Sequence, residues 1–84
     1  MYKINIIKEE KHILDFLLKR GLVIQYKKSK IKILNGYFSG VDFKIRQPKK
    51  DGIYCFRINK QFRAYGRIIE KGILQIYFID NHQK

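Results

Sequence analysis

Arg57, Arg63 and Arg67 fall in the last third of the chain, and the same stretch closes on Asp80 and His82. A guanidinium fork grips two phosphate oxygens at once, and an imidazole that titrates near neutrality can move protons. Together these groups suit RNA cleavage by transphosphorylation. A base takes the proton from the 2′-OH, arginines stabilise the charge of the phosphorane, and an acid protonates the leaving 5′-oxygen. No metal enters that scheme. The competing reading of the ending is a polar, frayed C-terminus in which His82 is incidental.

Such chemistry needs a frame, and Gly52 to His82 reads as three strands joined by two tight turns. The expected strands are Ile53–Ile58, Gln61–Ile69 and Ile73–Ile79. Asn59-Lys60 sits where a two-residue hairpin turn would, with Asn tolerating positive φ. Glu70-Lys71-Gly72 makes the second turn. Because alternate strand residues face opposite ways, Tyr54, Phe56 and Ile58, then Phe62, Ala64, Gly66 and Ile68, then Leu74, Ile76 and Phe78 are expected to face the core. The other parity gathers Arg57, Arg63, Tyr65, Arg67, Gln75 and Tyr77. Arginines interleaved with tyrosines fit single-stranded nucleic acid, with guanidinium groups on phosphates and rings under bases. An ordinary solvated face is the alternative. Cys55 shares the parity of Arg57, has no activating base assigned to it, and reads as a small buried apolar residue.

The first half supplies what the sheet packs on. Met1 to Ile7 reads as a half-buried strand, with Tyr2, Ile4 and Ile6 on one side and Lys3 and Asn5 on the other. From Glu9 to Arg20 the period changes to that of an amphipathic helix. Its apolar face is Ile13, Leu14, Phe16, Leu17 and Leu18, and His12 lies on the polar side as surface decoration. Glu9 and Glu10 suit its N-terminal end, Lys19 and Arg20 its C-terminal end, and Gly21 stops it. Leu22 to Asn35 reads as a second helix, although KIKIL also fits a strand. Leu22, Val23, Tyr26, Ile33 and Leu34 share its face, with Ile24 and Ile31 at one margin. Lys27 and Lys30 interrupt that face and must snorkel or meet an anion. The linker from Gly36 carries Lys44, Arg46, Lys49 and Lys50, a basic flank for the arginine face. The order is β-α-α-β-β-β, an α+β fold with both helices on one face of a mostly antiparallel sheet.

Composition sets the outer bounds. Eighty-four residues with 45% hydrophobic content make one domain, covering residues 1–84, with a modest core. Nineteen Lys plus Arg against seven Asp plus Glu give a net charge of +12. That points to a polyanionic partner, namely nucleic acid, an anionic membrane surface or an acidic protein; AT-biased coding also produces Lys-rich chains. No apolar run approaches the roughly 18 residues of a membrane span, and the N-terminus lacks a signal-peptide pattern. A single cysteine forms no internal disulfide and fits a reducing cytoplasm. There is no Cys/His spacing for zinc, no carboxylate cluster for magnesium and no phosphate-binding glycine loop, so no metal or cofactor is expected.

The run PKKDGIYCFRINKQFRAYG, followed by a strand and IDNHQK, resembles the C-terminal half of the RelE/ParE superfamily of bacterial toxins. The resemblance is to its HigB-like branch, whose members carry an R-I-N-x-Q-[FYW]-R signature and a closing aspartate–aromatic–histidine. Here those residues are Arg57, Ile58, Asn59, Gln61, Phe62 and Arg63, then Asp80, Asn81 and His82. It covers about Pro48 to Gln83; the residues before it share only the expected element order. The resemblance implies a type II toxin with a cognate antitoxin, acting as a metal-independent endonuclease on mRNA in the ribosome. It implies that Arg57 and Arg63 hold the scissile phosphate, that His82 is the general acid or base, and that Asp80 is its partner. Lys44, Arg46, Lys49, Lys50, Tyr65, Arg67 and Tyr77 remain as the RNA-binding set. Asn81 departs from the pattern, standing where many relatives have Tyr. The rivals are a ParE-like gyrase inhibitor, which binds without cutting, and a degenerate RNA-binding member of the family.

Overall fold

The computed structural model describes residues 3–81, in which strands β1 (Ile6–Glu9), β2 (Lys44–Ile45), β3 (Ile53–Arg57), β4 (Phe62–Glu70) and β5 (Ile73–Asn81) build one sheet. Helices α1 (Lys11–Arg20) and α2 (Val23–Leu34) lie between β1 and β2 in the chain. The sheet order is β1-β5-β4-β3-β2, with β1 parallel to β5 and the other pairs antiparallel. The helix pair carries the chain from one sheet edge to the other and covers one face. This is the expected α+β architecture with one strand more. β2 lies within the expected linker, because two residues show no periodicity.

Between helices and sheet sit Ile4, Ile13, Leu17, Ile33, Phe56, Leu74 and Ile76, each under 2% exposed. The helix stripe is narrower than its period suggests: Ile13 and Leu17 are buried, whereas Leu14 and Leu18 are 52% and 67% exposed. Gly21 ends α1 in the left-handed region (φ 68°), with its N–H turned back onto the helix carbonyls. KIKIL is helical, and Ile24 and Ile31 face outward. No helix among the described residues is long and apolar enough to cross a membrane.

Glu9 does not begin α1 but ends β1, and Glu10 takes the position before the helix with extended backbone. There the Glu9 carboxylate accepts from Tyr26 Oη at 2.7 Å and Lys30 Nζ at 2.8 Å. The anion that Lys30 required is therefore internal, and Lys27 simply projects to solvent. Burial, then the hydrogen bond to Glu9, push the Tyr26 phenol far above its ordinary range. Ser29, the one buried polar residue among those described, donates to the Arg57 carbonyl at 2.9 Å. His12 is exposed as expected, yet its Nε2–H donates to the Tyr77 carbonyl at 2.9 Å and ties α1 to β5.

Two expectations of strand parity fail, each at an irregularity. Asn5 and Ile6 both donate to the Gly72 carbonyl, at 2.8 and 3.1 Å. The alternation breaks there, so Ile4 and Ile7 are buried and Ile6 is exposed; Tyr2 lies outside the described residues. In β5, Tyr65 pairs with Phe78 but Gly66 pairs with Ile76, leaving Tyr77 as an extra residue. Ile79 then takes the core position expected for Phe78, whose ring is half exposed. The β3–β4 connection is Ile58–Gln61, longer than a two-residue turn. Asn59 does not adopt positive φ there; its Oδ1 accepts from the Gln61 and Phe62 amides at 2.7 and 2.8 Å.

Gly66 faces the bulge so closely that a Cβ would lie 2.5 Å from the Gln75 carbonyl oxygen. Gly66→Ala is expected to destabilise the fold by about 1–3 kcal/mol through forced backbone displacement. A lowered urea midpoint checks this; an unchanged one means that the β4–β5 pair yields without strain.

Candidate nucleic-acid interface

Directly opposite residues in a sheet project from the same face. Arg57 pairs with Arg63, and Arg63 with Asp80, so these three form one row across β3, β4 and β5. The next row on that face is Lys44, Cys55, Tyr65 and Phe78. A third runs from Ile53 through Arg67 and Gln75 to Lys8. All three rows lie on the face that the helices leave open. In an unbroken strand Asp80 would share the parity of Leu74 and Ile76 and point into the core. The bulge at Tyr77 turns it to the side of Arg63.

Arg63 is the least exposed of these cations, at 18%. Its Nη2 donates to Asp42 Oδ2 at 3.1 Å, and Lys44 Nζ approaches the same oxygen at 3.3 Å. Its Nη1 is buried and lacks a partner. Asp42 sits in the left-handed region (φ 54°) just after the 3₁₀ turn Ser39–Val41. Burial raises its pKa, but the hydrogen bonds and charges of Arg63 and Lys44 outweigh that and hold the carboxyl below its ordinary value. Sequence reasoning passed over Asp42. Its one signal was an isolated acid in an otherwise basic linker.

The aromatic residues are arranged differently from the expectation. Tyr65 is only 5% exposed. Arg46 lies over its ring at 5.2 Å and Phe78 beside it at 5.7 Å. Burial raises the Tyr65 phenol pKa, against the opposing pull of Arg46. The ring this face offers to a base is therefore Phe78. Tyr77 carries Arg67 over its ring at 5.1 Å, a second cation–π pair. Between β2 and β4 a shallow cleft of about 500 Å³ is lined by Lys44, Arg46, Gln47, Arg63 and Tyr65, with buried Cys55 among its walls.

Arg57 is exposed at the end of β3, beyond the short stretch that β2 covers. Lys49 and Lys50 are exposed in the 3₁₀ turn before β3, at the opposite end of that strand. The structure thus brings Arg57, Arg63 and Asp80 into one row and sets Lys44, Arg46 and Tyr65 beside Arg63. Arg67 and Tyr77 lie farther along the sheet in a cleft with Glu10 and Gln75, and Lys49 and Lys50 stand apart. His82 lies outside the described residues; β5 runs to Asn81, the residue before it. No group of three or more His, Cys, Asp or Glu side chains that would hold a metal occurs among the described residues. No family model, curated protein or solved structure matches the chain.

A carboxyl with a lowered folded pKa stabilises above its unfolded value, and that stability is lost as pH falls through the folded value. Asp42 is such a group. Asp42→Asn is expected to be less stable at neutral pH and to show a shallower loss on acidification below about 3.8. Urea midpoints across acid pH test this; parallel curves for both proteins mean that the pairing contributes nothing.

Proposed function

We propose that this chain is the toxin of a type II toxin–antitoxin pair, a cytoplasmic, ribosome-dependent mRNA endonuclease that cuts without a metal. The observation that carries the reading is the row Arg57–Arg63–Asp80, whose carboxylate stands two residues before His82 in the sequence. Arg57, exposed, takes a non-bridging oxygen of the scissile phosphate. Arg63 takes the other as the phosphate displaces the Asp42 carboxylate. The 2′-OH loses its proton to a base and attacks phosphorus, the bond to the 5′-oxygen breaks, and an acid returns a proton to that oxygen. His82 serves in this proton transfer with Asp80 as its partner. Phe78 supports a neighbouring base, and Lys44, Arg46 and Arg67 meet flanking phosphates of message or ribosomal RNA. An acidic antitoxin neutralises the same cations.

The internal pairing of Arg63 with Asp42 favours one rival, a docking protein of the gyrase-inhibitor kind, because a neutralised arginine needs no reacting phosphate.

A reconstituted translation reaction separates the two. Wild type is expected to cut mRNA only with ribosomes present, leaving 2′,3′-cyclic phosphate ends. His82→Ala is expected to lower the rate by about 10² to 10⁴, and Arg57→Ala to lower it without changing the cut positions. Intact message in the wild-type reaction, together with stalled gyrase, would overturn the nuclease in favour of the rival.

A further inference from the structure

Away from the sheet face, α2 and the β3–β4 loop enclose a groove of about 420 Å³. Lys28 and Lys32 enter it from α2, four residues apart and hence on one helix face. Lys60 enters from the loop side, and the end of β3 at Arg57, whose backbone carbonyl Ser29 holds, completes the wall. Among the described residues, no acidic one lines the groove. None of these three lysines belongs to an ion pair among the described residues, whereas Lys30, Lys44 and Arg63 each have a carboxylate. The walls are also fastened together. Asn59 Nδ2 donates to Gln25 Oε1 at 2.7 Å, and Ser29 Oγ to the Arg57 carbonyl at 2.9 Å. Three lysines held close in a preformed groove repel one another until an anion arrives.

We infer that this groove is a second phosphate-binding site, which grips the RNA backbone as it runs on from the Arg57 row. The inference rests on the reading of that row as an RNA site. Arg57 belongs to both, being the end of the row and part of the groove wall. Among the described residues no aromatic side chain lines the groove, which offers bases no stacking surface there. Its contacts are to phosphate, independent of sequence, and it sets the register of the strand rather than its choice of codon.

The test uses the double variant Lys28→Gln/Lys32→Gln, whose changes lie on exposed helix positions outside the row. Binding of non-cleavable 2′-O-methyl oligonucleotides is measured by fluorescence anisotropy across salt, with lengths of about 4 and about 16 nucleotides. For the longer strand, the slope of log affinity against log salt is expected to fall by about 1.4, at roughly 0.7 per lost phosphate contact. The shorter strand is expected to bind as it does to wild type. An unchanged slope for the longer strand would overturn the groove. So would polyglutamate displacing the long oligonucleotide from wild type but not from the double variant, since the groove would then belong to an acidic protein. RNA that binds in this way but is never cut leaves the groove intact and removes only the endonuclease.

Discussion

The close approach of Gly66 to the Gln75 carbonyl governs what the open face of this sheet contains. Only a residue without a Cβ admits it, and it accompanies the extra residue that β5 carries at Tyr77. On one side of the bulge Arg67 stands opposite Gln75; on the other, Tyr65 faces Phe78 and Arg63 faces Asp80. A one-residue slip exchanges the two faces of a strand. Without the bulge, Asp80 would point at the helices and Ile79 at water, and the arginine row would lose its carboxylate.

A second constraint is charge. The chain carries +12 and spends its few acids selectively. Glu9 neutralises Lys30 where α2 meets β1, which allows a lysine and a tyrosine hydroxyl to sit against the core. Asp42 holds Arg63 and Lys44 in place on the open face. The remaining cations of that face and of the α2 groove lie outside these pairs. The repulsion they store is relieved by a polyanion, which is why the same surface that weakens the isolated fold favours association.

Much of this was legible in the residues. The helix period, the stop at Gly21 and the alternation of β4 predicted the layers, and the position of Arg57 and Arg63 on the open face followed from parity alone. Other features were not legible. The bulge at Tyr77 leaves no mark in a strand that alternates smoothly through Ile76 and Phe78, so parity alone puts Phe78 in the core. Glu9 looked like a helix-starting acid because two adjacent glutamates suit that role equally. Asp42 acts through residues far along the chain, and long-range ion pairs carry no local pattern. Asp80 stands out for its carboxylate beside His82 and through the resemblance, against its own parity, and the bulge supplies the geometry that parity denied.

The central claim is that Arg57, Arg63 and the face around them receive an RNA strand. Its most direct test is an NMR titration of the ¹⁵N-labelled chain with a non-cleavable 2′-O-methyl oligonucleotide at low salt, followed at backbone amides and arginine Nε–H groups. The account predicts saturable shifts at Arg57, Arg63, Tyr65, Arg67 and Phe78, with the Arg63 Nε–H moving as Asp42 is displaced. Shifts confined to the outer surface of α1, or no saturable shift at the arginine row, would contradict it.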